Sequence, residues 1–218
     1  MDTKLAIIIP TYDSLPTLKT LVGNILDYTS GEYRVYIVED GQKKDTIKWL
    51  KQLVKKHSNF KAIFHKENKG VAPSWNDGLR EAVKDNCTHF AIFNDDIEIP
   101  RNWWEDCQGA FAIPHVHLVG LNAPCPVPLT GWFFILDKKC LDKVGYFDEQ
   151  FVPYCCEDDD YFIRYRNQGY RFVQANIQVF HHSSKTIGQK DKETVRAVRL
   201  NNWRKLSKKH PGLTLIAL

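Results

Sequence analysis

The chain has 218 residues, 43% hydrophobic and 26% charged, with a formal net charge of +4. That is an ordinary globular mix, long enough for one domain with a substantial core, and the mild charge gives no argument for nucleic acid as a partner. No apolar run approaches the ~20 residues that span a bilayer, and the N-terminus runs into a strand pattern without a charged leader, so neither a transmembrane anchor nor a signal segment is expected.

Residues 5–9 are a short apolar run that ends at Pro10, Thr11, Tyr12 and Asp13, read as a first buried strand. Leu15, Leu18, Leu21, Val22, Ile25 and Leu26 then fit one helical face, capped by Asp13 or Ser14. A second strand over 33–38 ends at Glu39-Asp40-Gly41, followed by a helix with a lysine-rich outer face. A third strand over 61–64 leads through the Asn68-Lys69-Gly70 turn to a helix over 73–83. The apolar run 90–93 is read as a buried strand that delivers Asn94, Asp95 and Asp96, with Pro100 closing the segment. Such adjacent carboxylates can hold a hard divalent cation, although Asn and Asp are also good turn residues.

Residues 101–130 show few clean periods. A strand is predicted over 130–136, helices over 138–144 and 157–167, short strands over 170–173 and 177–180, and a basic helix over 191–209. The six cysteines form no CxxC pair and no zinc spacing, and the adjacent Cys155 and Cys156 read as reduced thiols, which favours a cytoplasmic setting. Strand and helix alternate through the first half, which predicts a parallel sheet wound with helices. The first strand is not followed by GxGxxG, which disfavours a dinucleotide site.

Four polar clusters fall at strand ends or helix starts: Thr11-Tyr12-Asp13, Glu39-Asp40, Asp95-Asp96, and the acidic run 157–160 together with His181-His182. In a parallel sheet the strand ends converge on one rim, where ligands of open α/β sheets bind. The order of motifs resembles glycosyltransferase family 2, of the GT-A fold. The matching residues are Ile7-Ile-Ile-Pro-Thr-Tyr12, Val38-Glu-Asp-Gly41, Glu67-Asn-Lys-Gly-Val71 with Asn76 and Gly78, and Asn94-Asp-Asp96. Gly131-Trp132, Val144-Gly-Tyr-Phe-Asp148, Glu157-Asp158-x-Asp160, Gly169-Tyr170 and His181-His182-x-Ser-Lys-Thr186 follow. The later motifs look most like the rhamnosyltransferase-like branch.

The resemblance implies a single GT-A domain, with a nucleotide-binding half over 1–100 and an acceptor-binding, catalytic half over 101–218. It implies an inverting hexosyltransferase that moves a sugar from a UDP-, dTDP- or GDP-sugar to a hydroxyl of a glycan, lipid-linked or protein acceptor. Pro10, Thr11 and Tyr12 are expected to line the nucleobase pocket, and Asp40 to accept from base or ribose. Asp95 is assigned to ribose, and Asp96 with His182 to Mn2+ or Mg2+. Asn94 stands where many members carry an acid. Lys69, Asn76 and Lys185 are expected at the nucleotide sugar, and Trp132 at the acceptor, where a core Trp is the competing reading. Asp158 is the candidate general base and Glu157 the alternative, with neighbouring like charges able to raise the pKa. The basic C-terminal helix suits peripheral contact with a membrane, or is a solvated face. Two rivals remain: a nucleotidyltransferase, for which residues 10–16 lack a phosphate-cradling loop, and a catalytically silent sugar-nucleotide or glycan-binding module.

Overall fold

A computed structural model describes residues 4–123, 129–182 and 191–211. The first half alternates as expected: β1 (Leu5–Thr11), α1 (Leu15–Tyr28), β2 (Tyr33–Glu39), α2 (Lys44–Lys56), β3 (Phe60–Phe64), α3 (Val71–Lys84) and β4 (His89–Phe93). The second half holds β5 (Ile97–Glu98), α4 (Trp103–Gln108), a 3-10 turn (Gly109–Ala112), β6 (Val116–Asn122), β7 (Leu129–Asp137), α5 (Lys138–Val144), α6 (Glu157–Asn167), β8 (Arg171–Gln174), β9 (Phe180–His181) and α7 (Lys192–Lys209).

Seven strands form one sheet in the order β3-β2-β1-β4-β7-β6-β8. β1, β2, β3 and β4 pair in parallel. β7 runs antiparallel to both β4 and β6, and β8 returns parallel to β6. Strands covered on both faces need apolar residues at every position, which is why β1 reads as an unbroken run rather than an alternation. Its side chains divide by the strand period of two. Leu5, Ile7 and Ile9 enter the layer that contains Leu18, Leu21 and Trp103. Ala6 and Ile8 enter the opposite layer with Trp75, Leu79 and Tyr161. α3 approaches β1 closely because Gly78 faces Ile8, where a Cβ would lie 2.5 Å from Cγ2.

Two expectations are corrected. The stretch 101–130, read as irregular, contains α4 and the whole of β6. Gly120 and the register shift after it break the alternation that would have revealed the strand. The strand expected over 177–180 is only Phe180–His181, paired antiparallel with β5 in a separate two-stranded ribbon. Trp103 and Trp104 are buried core residues. Among the described residues no helix is long and apolar enough to cross a membrane.

The topology fixes where chemistry can occur. β1, β2 and β4 point their C-terminal ends at one edge of the sheet. Antiparallel β7 begins at that same edge, so Asn94 N donates to Trp132 O at 3.0 Å. The segment before α6 closes the rim, with Val71 N donating to Pro153 O at 2.9 Å.

Candidate active site

A cleft at this edge is lined by Pro10, Thr11 and Tyr12 from the end of β1, Asp40 from the end of β2, and Asn94, Asp95 and Asp96 from the end of β4. Asn68, Gly70, Val71 and Ser74 form one side, and Pro153, Tyr154 and His181 complete the wall. Neighbouring parallel strands therefore bring together residues that lie 84 positions apart: Thr11 Oγ1 donates to Asp95 Oδ2 at 2.7 Å. Burial pushes the Asp95 carboxyl up to about 7, and Asp96 beside it adds to the rise. The Thr11 and Ser14 hydroxyls and the Tyr12 amide pull the other way.

Asp96 is buried, and His181 Nε2 stands 3.1 Å from its Oδ1. The structure thus places His181, not the expected His182, beside the Asp96 carboxylate. The side chain of His182 turns to Glu98, with Nε2 2.7 Å from Oε1, and only its backbone amide meets Asp96, at the carbonyl. Successive side chains of an extended segment leave opposite faces, so one of two adjacent histidines had to face away. Trp132, expected at the acceptor, stacks on the His181 ring, with ring centroids 4.7 Å apart and planes 15° apart.

Asp40 lines the cleft, but its oxygens already serve the loop after β3. Oδ1 accepts from the Lys69 amide at 2.8 Å and lies 2.6 Å from His65 Nδ1, and Oδ2 accepts from the Gly70 amide at 2.8 Å. Gly70 has φ 96°, and a Cβ there would meet Pro153 O at 2.7 Å, so both conformation and space require glycine. The neighbouring Glu39 is fully buried and accepts from the amides of Gly41, Gln42 and Lys43, which fixes the turn into α2.

Two other expected nucleotide contacts lie off the cleft lining. The Lys69 side chain pairs with Asp77 at 3.5 Å. Asn76 is buried, donates to Phe147 O at 2.9 Å and to Glu149 at 2.7 Å, and accepts from Phe147 N at 2.9 Å. Its amide thus holds the 147–149 turn. Lys185 lies outside the described residues.

The acidic run divides by environment. Asp160 is 0% exposed and meets Arg164 Nε at 2.8 Å, Lys209 Nζ at 2.7 Å and His210 Nε2 at 2.7 Å. Burial alone would raise its pKa, but hydrogen bonds from Lys209, His210 and Arg164, with the Arg164 charge, hold it below the ordinary value. Glu157, Asp158 and Asp159 have no such cations among the described residues. Burial raises Glu157 well above the usual range, with the Asp158 charge adding to it, and pushes Asp159 up to about 8. Asp158 is also raised by burial, opposed by backbone amides at the helix start. Among the described residues Glu157 Oε2 has no hydrogen-bond partner although the residue is only 6% exposed. Neither Glu157 nor Asp158 lines the cleft itself; they follow its wall residues Pro153 and Tyr154 by a few positions.

Among the described residues no group of three His, Cys, Asp or Glu side chains is arranged to hold a metal ion on its own. Asp95 and Asp96 on the cleft floor do suit a hard cation that completes its shell with water and ligand phosphates, as Mg2+ does in nucleotide sites. Sequence reasoning set His181 in the rim cluster but gave the metal role to His182, and it missed Pro153 and Tyr154 as cleft residues. For His181 the adjacent histidine was the signal; the Pro-Tyr pair carried none.

The wound sheet with its acidic cleft at the strand ends defines a GT-A-type α/β domain. A family model, Glycosyl transferase family 2, matches residues 6–134, and the chain belongs to that family. An uncharacterized glycosyltransferase of Rickettsia conorii is 28% identical over 122 residues, which cover 54% of this chain and 20% of that protein. The chain thus spans about a fifth of the length of that relative. Among solved structures, the mannosyltransferase PcManGT of Pyrobaculum calidifontis, in complex with GDP-Man and Mn2+, superposes with a TM-score of 0.75 at 17% identity. The match covers 94% of this chain and 63% of that one. GalNAc-T7 with UDP, GalNAc and Mn2+ gives the same TM-score, 0.75, at 10% identity, covering 94% of this chain and 47% of that one.

Proposed function

We propose that this chain is an inverting glycosyltransferase that moves a sugar from a nucleotide-diphosphate sugar to an acceptor hydroxyl. The observation that carries the reading is the cleft floor, where Asp95 and Asp96 meet Thr11 and His181 at the ends of β1 and β4. Residues 1–100 serve as the nucleotide half and 101–218 as the acceptor and catalytic half. Pro10, Thr11 and Tyr12 wall the base, Asp95 faces the ribose, and Asp96 with His181 holds the cation. Mn2+ or Mg2+ bound there supplies Lewis-acid stabilisation to the departing diphosphate. Asp158 takes the proton of the acceptor hydroxyl as its oxygen bonds to the anomeric carbon and the bond to the diphosphate breaks. One displacement inverts the centre, and no covalent enzyme intermediate is needed.

Neighbours that bind GDP-Man or UDP with Mn2+ support a nucleotide sugar as donor. The later sequence motifs support the rhamnosyltransferase-like branch, with dTDP-sugars as a further donor class. A glycan, lipid-linked or protein hydroxyl serves as acceptor. Peripheral membrane contact through basic α7 would give salt-sensitive binding to anionic vesicles. Asn94, an amide that lines the cleft where an acid is common, supports a second reading: a binding module without turnover.

Calorimetric titration with UDP, dTDP, GDP and CMP, with and without Mn2+, on wild type and Asp96→Ala tests the proposal. One nucleotide is expected to bind only with metal, and to lose that binding in the variant. Binding indifferent to both metal and Asp96→Ala would remove the cation site. Binding without release of nucleotide from any sugar donor would favour the module.

A further inference from the structure

Gly131 lies near the start of β7, in the stretch that arrives beside Asn94. Its φ lies outside the left-handed region, so its backbone does not require glycine. Glycine inside a strand gives no side chain to pack and often marks a close approach by another group. Here the approaching group is a side chain. A Cβ at position 131 would lie 1.8 Å from Asp158 Oδ2, 2.5 Å from its Cγ and 2.9 Å from its Cβ.

Three successive atoms of Asp158 occupy that space, so a rotation of the carboxylate alone would not relieve the clash. Retreat of the helix is also opposed, because Asp160 ties the first turn of α6 to Lys209 and His210 at the end of α7. The next residue along β7, Trp132, stacks on His181, which in turn reaches Asp96. A short run of contacts therefore connects the cleft floor to the Asp158 carboxylate through two adjacent residues of one strand.

We propose that Gly131 is a positioning residue: the side chain it lacks is the seat of the Asp158 carboxylate, and β7 thereby sets where that carboxylate stands relative to the cleft. The proposal rests on the reading of Asp158 as the base. Seating against the strand also explains why Asp158 is desolvated and its pKa raised. A methyl group at 131 would expel the carboxylate toward water and undo both.

A double-mutant cycle in stability tests the contact without any substrate. Gly131→Ala is expected to lower the melting temperature by several degrees in the wild-type background. In the Asp158→Gly background, where the seat is empty, the same change is expected to be neutral or stabilising. If Gly131→Ala fails to fold, recovery of folding in the double variant supports the contact equally. Carbon-13 titration of the side-chain carboxyls, with the Asp158 signal assigned through Asp158→Asn, reads the position of the group. Its midpoint is expected to fall in Gly131→Ala toward the ordinary carboxylate range. Equal destabilisation in both backgrounds, or an unmoved midpoint, overturns the proposal. Failure of the base reading is a separate result. If Asp158→Asn releases nucleotide from UDP- and GDP-sugars at the wild-type rate, the base is removed, and with it the role given to Gly131.

Discussion

Trp132 and His181 lie face to face at 4.7 Å, and Nε2 of the same imidazole meets Asp96 at 3.1 Å. The aromatic ring thus fixes the plane of a histidine that orients a cleft carboxylate. Groups that orient a metal-binding carboxylate typically affect affinity by about 10-fold to 100-fold. His181→Ala is therefore expected to weaken Mn2+-dependent nucleotide binding by about 10-fold or more. His182→Ala, which loses the contact with Glu98 and the edge-on packing against Phe180, is expected to stay within about 2-fold of wild type, since a partly exposed polar pair contributes little. Calorimetry on the two variants decides, and the opposite ranking would return the metal role to His182.

Asn202 connects the C-terminal helix to the cleft wall. It is fully buried in α7, and its Nδ2 donates to the carbonyls of Val152, Tyr154 and Cys155 at 3.3, 2.8 and 3.2 Å. Asn202→Ala leaves the buried Tyr154 carbonyl without this donor, which costs about 1–3 kcal/mol. Urea denaturation should record that loss, and nucleotide affinity should fall with it because Pro153 and Tyr154 wall the cleft. A variant as stable as wild type would mean that the loop holds its shape without the helix.

The strands and acidic strand ends were legible because buried parallel strands leave continuous apolar runs and each run stops where polar residues begin. What stayed hidden depends on register and on distant partners. Residues 181 and 182 are indistinguishable in sequence, and only the pairing of β9 with β5 assigns one to Asp96. Asn76 matches a motif that suggests ligand contact, yet its partners Phe147 and Glu149 lie more than 70 positions away and occupy its amide. Asp40 was legible as a cleft residue, but not as the acceptor for two loop amides. Asp160 and Asp158 look alike in the acidic run; the three partners of Asp160, Arg164, Lys209 and His210, separate them.

Asp158→Asn keeps the shape of the side chain and removes its ability to take a proton. General-base catalysis contributes roughly 10^2- to 10^4-fold. The variant is expected to lose turnover by about that factor while binding nucleotide and Mn2+ as wild type does. Glu157→Gln, at a carboxyl whose pKa burial raises well above the usual range, is expected to lose less. Nucleotide release from the donor that binds, followed in both variants, distinguishes the two acids. Equal loss in the two would mean that the pair acts as one unit.

His65 gives the cleft a pH-dependent support. The ring is 7% exposed, with Nδ1 2.6 Å from Asp40 Oδ1 and Nε2 3.0 Å from Asp77 Oδ2. Burial, the largest single influence, lowers its pKa, but the hydrogen bonds to Asp40 and Asp77 and the Asp40 charge outweigh it, with Lys69 opposing. The folded pKa is therefore raised, and protonation lets both ring nitrogens donate to the two carboxylates. A raised histidine stabilises the fold fully below its unfolded pKa of about 6.5, and that contribution disappears as pH rises through the folded value. The stability gap between wild type and His65→Asn is expected to be widest near pH 5.5 and to narrow toward pH 8.5. The narrowing amounts to about 1.4 kcal/mol for each pH unit separating the folded and unfolded pKa. Urea midpoints across that range measure it. A gap that stays constant or widens with pH would mean that the ring is neutral when folded and holds the 65–70 loop as a single donor to Asp40.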